Sequence, residues 1–289
     1  MRLGFHMPLK GGAAGQLNRA HKIGMEAVQI FSGNPTSWKP GKIDPQDRDR
    51  FLAKQAELDI RPLVFHTPYL INLASPKDDI YEKSLKLLYA SLEKAHMYQA
   101  PYVVTHVGSH TGSGREKGIS RVKKAIERLY KHWPGQVKLL LENTSGSGSN
   151  LGADFKDIKA IMKELTTKGR LACCFDTAHA WGAGYKISNL VDVEKTLDEW
   201  EQNIGLEHIK ICHANDTDVE LGSTKDRHQH IGEGKIGLEG FASLLTHRAF
   251  VPEAVILETP KMGTEYDQIN LDNLKKAVGR NETGISTDS

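Results

Sequence analysis

The sequence predicts an α/β protein folded as a (β/α)8 TIM barrel, with a metal site at the carboxyl-terminal face of its strands. Two patterns carry the prediction: eight short apolar runs alternate with eight stretches of helical periodicity, and six successive runs have a histidine or a carboxylate at or one residue before their ends. A length of 289 residues suits such a barrel without a second domain. The strand-like runs are 3–6, 27–31, 63–66, 102–106, 139–143, 172–176, 209–213 and 254–259. Between them the 3.6-residue period marks helices over 15–23, 44–58, 80–97, 119–132, 154–165, 193–203, 238–245 and 269–278. Asp44 before Pro45 reads as a helix cap followed by a first helical position, and Ser120 and Asp192 are further cap candidates. An open doubly wound sheet is the alternative, but the nearest match to a dinucleotide-binding turn, Gly11 to Gly15, has the wrong spacing. Residues 1–278 are therefore read as one barrel domain. The polar segment 279–289 carries no apolar period and is expected to be a disordered tail.

Composition narrows the function classes. Hydrophobic residues make up 39% and charged residues 26%, as in soluble globular proteins, and no apolar run is long enough to cross a bilayer. The start, MRLGFHMPLKGG, lacks the apolar core and cleavage site of a signal peptide, so a cytoplasmic location is expected. Cys173 and Cys174 are neighbours in one strand-like run and face opposite sides of it, while Cys212 lies in another; all three read as reduced core thiols. Asn281-Glu-Thr283 matches a glycosylation acceptor by chance in such a chain. With 38 basic against 36 acidic residues there is no global signature of nucleic-acid binding, and any such contact must come from local loops.

The strand ends carry the chemistry. At or one residue before the ends of the third to eighth runs stand His66, His106, Glu142, Asp176, His213 and Glu258. In a parallel barrel these ends converge on one face. A lone histidine there is ordinarily a hydrogen-bonded structural residue, but six such positions together bring carboxylates close enough to repel one another unless a polycation lies among them. Three more candidates join them: His179, three residues after Asp176, and the pair Asp226 and His228 in the polar, glycine-bounded loop His213 to Gly237. Asp226 and His228 stand two positions apart and so share a side in an extended segment. These nine are too many for one ion, and imidazole mixed with carboxylate suits zinc while remaining compatible with manganese or iron. A carboxylate shared by two ions roughly 3.5 to 4 Å apart is the usual arrangement for phosphodiester chemistry.

Four segments carry a resemblance: His66-Thr-Pro-Tyr-Leu-Ile-Asn72, Glu142-Asn143-Thr144, Phe175-Asp-Thr-Ala-His-Ala180, and Asp226-Arg-His228 followed by HIGEGKIG from His230. They resemble the signature segments of the endonuclease IV family, zinc-dependent apurinic/apyrimidinic endonucleases of base-excision repair built on a TIM barrel. The resemblance covers nearly the whole chain up to the polar tail. It implies three zinc ions: one held by His66, His106 and Glu142, a second by Glu142, Asp176, His213 and Glu258, a third by His179, Asp226 and His228. It implies hydrolysis of the phosphodiester on the 5′ side of an abasic site in double-stranded DNA, leaving a 3′-hydroxyl and a 5′-deoxyribose phosphate, and 3′-end cleaning as a further activity. Glu142 and Glu258 are the catalytic candidates, Glu142 as bridge and Glu258 as the group that orients or deprotonates water.

DNA contact then falls to the loops on the same face. Asn34, Trp38 and Lys39 in the second loop, Arg115 in a glycine-rich fourth loop running to Lys117, and Arg227 beside the metal loop are the candidates for holding phosphates. Tyr69 and Leu70 resemble the family's wedge into the minor groove beside the lesion. Thr36 stands where family members often carry an arginine. No membrane partner is expected, and a monomer is. The competing class is a barrel sugar isomerase or epimerase, which also gathers acids and histidines at strand ends around one or two ions; a DNA-binding protein without catalysis would have lost part of the ligand set.

Overall fold

The computed structural model describes residues 1–8, 13–167 and 169–280. Eight parallel strands close a barrel in sequence order: β1 (Arg2–His6), β2 (Ala27–Phe31), β3 (Leu63–His66), β4 (Tyr102–His106), β5 (Lys138–Glu142), β6 (Leu171–Asp176), β7 (Ile209–His213) and β8 (Ala254–Leu257), with β8 paired back to β1. The helices are α1 (Ala13–Lys22), α2 (Pro45–Leu58), α3 (Asp78–Met97), α4 (Arg115–His132), α5 (Phe155–Met162), α6 (Thr177–Ala183), α7 (Leu190–Asn203), α8 (Gly237–Leu245) and α9 (Tyr266–Ala277). The predicted fold class thus holds, as does every predicted strand and helix to within a few residues.

Three local expectations need correction. Ser120 lies inside α4, which begins at Arg115, because the amphipathic pattern runs one turn further upstream than the apolar residues alone suggest. Asp192 sits in the first turn of α7 and is itself capped: the side chain of Asn189 accepts from its amide. The short helix α6 was not expected at all. Asp44 does cap α2, accepting from the amides of Gln46 and Asp47 ahead of Pro45.

Period-2 alternation divides each strand between two cores. Outward residues such as Leu3, Phe5, Phe65, Val103, Leu139, Phe175 and Val255 pack under the helices, whereas Val64, Val104, Leu140, Ala172, Cys174, Ile211 and Ile256 fill the barrel lumen. Cys173 and Cys212 belong to the outer core and Cys174 to the lumen, all three as buried free thiols, as the alternation requires. Tyr102 plugs the amino-terminal end of the lumen, its hydroxyl donating to Glu253 at 2.5 Å. β1 approaches β2 closely at Gly4, where a Cβ would lie 1.9 Å from the carbonyl oxygen of Ala27; no other residue fits. Between β6 and β7 the register slips at Cys173/Cys174, after which Asp176 faces His213.

Residues 281–289 of the predicted tail, with Asn281, lie outside the described residues, as do Gly11 and Gly12. Gly279 and Arg280 are described, and the Arg280 guanidinium is tied to the Glu26 carboxylate at 2.8 Å and the Met1 carbonyl at 2.7 Å, so the ordered chain passes the predicted boundary. Among the described residues no helix is long and apolar enough to cross a membrane.

Candidate metal centre

The side chains at the carboxyl ends of β3 to β8 point the same way as the lumen residues two positions before them. Val64, Val104, Leu140, Cys174, Ile211 and Ile256 are lumen residues, so His66, His106, Glu142, Asp176, His213 and Glu258 all turn into the barrel mouth. Asp176 adds a second function. Its Oδ1 accepts from the amide of His179 at 2.7 Å and so caps α6, which turns the His179 ring back over the mouth.

Glu142 lies at the middle, almost fully buried. Its Oε2 is 3.2 Å from Nε2 of His66 and 3.3 Å from Nε2 of His106, and its Oε1 is 3.0 Å from Nδ1 of His213 and 3.4 Å from Nδ1 of His179. His213 Nδ1 also faces Oε2 of Glu258 at 3.4 Å and Oδ2 of Asp176 at 3.8 Å. At the outer edge Asp226 reaches both imidazoles, Oδ2 to His179 Nε2 and Oδ1 to His228 Nε2, each at 3.3 Å. Three groups of donors come within 4.8 Å of one another: His66, His106 and Glu142; Glu142, Asp176, His213 and Glu258; and Asp176, His179 and His228. The third differs from the expected trio in including Asp176, with Asp226 at its more exposed side. All nine expected side chains are thus brought together.

The hydrogen bonds behind these rings test whether a cation fits. Nδ1 of His66 donates to the Thr67 carbonyl at 2.7 Å, Nδ1 of His179 to the Asn143 carbonyl at 2.9 Å, and Nδ1 of His228 to the Glu258 carbonyl at 2.9 Å. A ring that donates from Nδ1 presents Nε2 as a bare lone pair in its neutral form, the arrangement found behind metal-bound histidines. Nε2 of His228 is buried with the Asp226 carboxylate 3.3 Å away, too poorly aligned for a hydrogen bond among the described residues. Lone pairs aimed at carboxylates repel unless a proton or a metal ion lies between them. In the metal-free chain protons take that role. Burial opposes charge on His213, but Glu258 and Glu142 outweigh it and raise the imidazole to about 9. His228 is likewise raised to about 9 against its burial, through Asp226 and Asp176. Burial also works against the carboxylates, yet His213 and His106 hold Glu142 well below the usual range, His213 and His6 do so for Glu258, and His179 and His228 for Asp226. Divalent ions would replace these protons, and the donor set fits them.

Comparison with known proteins agrees with this geometry. The family model described as Xylose isomerase-like TIM barrel matches residues 17–279. The Probable endonuclease 4 of Natranaerobius thermophilus is 65% identical over 282 residues, 98% of this chain and 99% of that one. The crystal structure of endonuclease IV from Thermus thermophilus superposes with a TM-score of 0.85 at 33% identity, covering 97% of this chain and 100% of the other. This chain belongs to the endonuclease IV family. A D-tagatose 3-epimerase-like protein, 20% identical with a TM-score of 0.74 and 96% of this chain covered, shares the fold.

The predicted DNA-contact residues divide. Tyr69 is 62% exposed, its ring centred 5.2 Å from Phe31, 6.0 Å from His66 and 6.2 Å from His106, so it stands over the donor cluster; Leu70 beside it is half-buried. The Tyr69 amide donates to the Pro35 carbonyl, joining the second and third loops. Lys39 and Arg227 are exposed. Asn34 is exposed too, but its Oδ1 holds the loop itself by accepting from the amide and hydroxyl of Thr36. Trp38 packs half-buried against the outer core. Arg115 is not in a loop: it opens α4, and its guanidinium is paired with Asp157 at 2.5 Å and Asp154 at 3.7 Å.

Sequence reasoning missed His6 and Gln29. Both face the mouth, from β1 and β2, and both reach Oε1 of Glu258, at 2.8 and 2.7 Å. The signal was present: His6 ends the first strand as His66 ends the third, and Gln29 is a polar residue inside an apolar run. Asp216 and His230, which shared the metal loop with Asp226, turn out to be structural. Asp216 is buried and accepts from the amides of Thr217, Gly232, Gly234, Ile236 and Gly237, and His230 stacks on Tyr266 at 4.5 Å.

Proposed function

We propose that the chain is a DNA-repair enzyme that hydrolyses the phosphodiester 5′ to an abasic site in double-stranded DNA, leaving a 3′-hydroxyl and a 5′-deoxyribose phosphate. The barrel domain 1–278 carries the activity, as a cytoplasmic monomer, and the same centre serves to clear blocked 3′ ends. The observation that carries this reading is the placement of Glu142, with one oxygen toward His66 and His106 and the other toward His213 and His179. A carboxylate so placed would bridge two donor groups, with a third group at its edge. It supports three Zn2+ ions, with Mn2+ or Fe2+ as possible replacements. When bound, such ions lower the pKa of water toward roughly 7 and stabilise the attacking and leaving oxygens of an in-line displacement.

The chain's own residues supply the rest. Glu142 and Asp176 fix the donor groups relative to one another across β5 and β6. Glu258, with Oε2 turned inward, orients the attacking water. Asp226 and His228, at the open edge of the site, would hold an ion that supplies positive charge to the phosphate oxygens. Tyr69 and Leu70 enter the gap left by the missing base, and Lys39 and Arg227 hold phosphates without reading sequence.

The test is cleavage of a duplex oligonucleotide bearing one tetrahydrofuran abasic analogue, alongside metal content by elemental analysis. Single-site incision 5′ to the analogue, lost on chelation and restored by zinc, is expected. Glu258→Gln should bind the duplex yet cut it far more slowly. No incision by a zinc-restored chain that instead interconverts ketoses would overturn the reading in favour of an epimerase.

A further inference from the structure

We propose that Gln29 is a positioning residue that selects which nitrogen of His213 and which oxygen of Glu258 face the metal centre; the proposal rests on the metal-centre reading above. Gln29 is fully buried, sits on the lumen side of β2 two residues after Ala27, and pairs in register with His6 of β1. The two ends of its amide do different things. Nε2 donates to Oε1 of Glu258 at 2.7 Å, while Oε1 accepts from Nε2 of His213 at 2.9 Å. The reverse orientation would set a carbonyl oxygen against a carboxylate, so donor and acceptor matching fixes the amide.

Once the amide is fixed, its oxygen requires a proton on Nε2 of His213. The neutral ring then carries its lone pair on Nδ1, the atom that faces Glu142 Oε1 at 3.0 Å, Glu258 Oε2 at 3.4 Å and Asp176 Oδ2 at 3.8 Å. On Glu258 the same amide meets His6, whose Nδ1 lies 2.8 Å from Oε1 and 2.9 Å from the amide nitrogen, so that both nitrogens crowd Oε1. Oε2 is left turned toward His213. Gln29 thus couples the ligands of β7 and β8 through a residue of β2 that has no donor atom of its own in the cluster. A leucine of similar size would fill the volume while releasing both: the imidazole could exchange tautomers and the carboxylate could rotate.

Wild-type chain, Gln29→Leu and Gln29→Glu are loaded with Zn2+ and titrated with a competing chelator, and their cobalt-substituted forms are compared by visible absorption. Loss of an outer partner behind a metal ligand typically weakens affinity about 10- to 100-fold. Gln29→Leu should lose that much for the tightest ion and shift the cobalt bands. Gln29→Glu keeps an acceptor for His213 but sets a charge against Glu258, and should weaken binding at least as much. Nitrogen-15 spectra of the zinc-loaded wild type should show His213 protonated on Nε2, a readout that holds even where a variant fails to fold. Unchanged affinity and cobalt bands in Gln29→Leu, or a His213 protonated on Nδ1, would refute the role of Gln29 and leave the metal centre standing. A wild-type chain that retains no metal after dialysis would remove the metal centre itself, and this inference with it.

Discussion

Asp216→Asn is the substitution that tests how the metal loop is held. Asp216 is completely buried, with no cation paired to its carboxylate among the described residues; five backbone amides surround it instead. Oδ1 serves Thr217 and Ile236, and Oδ2 serves Gly232 and Gly234, with Gly237 shared between them. At Gly234 the chain comes so close that a Cβ would stand 2.3 Å from Oδ1. Asparagine keeps the shape but turns one oxygen into an NH2 donor. Whichever oxygen is replaced, at least two amides then face a donor. Each buried donor left unsatisfied costs about 1–3 kcal/mol, which sums to about 2–6 kcal/mol for the pair. Because 1.4 kcal/mol is about tenfold in an equilibrium, the loop opens at least about 30-fold more often. Hydrogen exchange followed by mass spectrometry reads this directly: protection across 228–237 should fall by that factor while β4 is unchanged, and the chain should lose metal from the His228 side first. Protection within about threefold of wild type would show that the amides are held by the loop itself.

Three more outcomes follow from the geometry. In the metal-free chain His213 and His228 have folded pKa values raised to about 9 from 6.5, so the stability they contribute is complete below about pH 6.5 and disappears as pH rises through 9. The Tm of chelated protein should therefore fall between pH 6 and pH 9.5; a flat profile would mean these imidazoles carry no proton in the fold. With zinc restored the trend should reverse, since binding displaces those protons. Tyr69→Ala should weaken binding to abasic duplex about 5- to 150-fold, the range given by about 1–3 kcal/mol of aromatic stacking, with metal content unchanged by elemental analysis. Gly4→Ala places a Cβ 1.9 Å from the Ala27 carbonyl oxygen and forces β1 from β2, at about 1–3 kcal/mol or more; a Tm equal to wild type would contradict that contact.

What could be read in the sequence followed from periodicity. Alternation placed Val64 and His66, or Ile256 and Glu258, on one side of a strand, and the barrel did the rest by bringing strand ends together. The proposed metal ligands were legible because they are chemically unusual residues at the ends of apolar runs. What was not legible is the support behind them. Asn143, which bonds the Asp176 backbone at both ends of its amide, and Asn215, which donates to Asp176 and accepts from the Glu258 amide, show nothing in sequence of what they hold. Their roles depend on contacts between segments more than thirty residues apart. Arg115 shows the converse: a basic residue beside glycines suggested a phosphate contact, and only the fold reveals the Asp157 carboxylate it pairs with.

His6 and Glu258, joined at 2.8 Å, are separated by 252 positions in the chain, and their bond spans the seam where the first strand meets the last. All eight strands contribute a side chain to the mouth. A growing polypeptide therefore cannot complete this cavity until nearly all of it has been synthesised and the ring has shut. On the metal-centre reading proposed above, ion capture would be a late checkpoint in maturation, and truncation or a break in any one strand should leave the site unassembled.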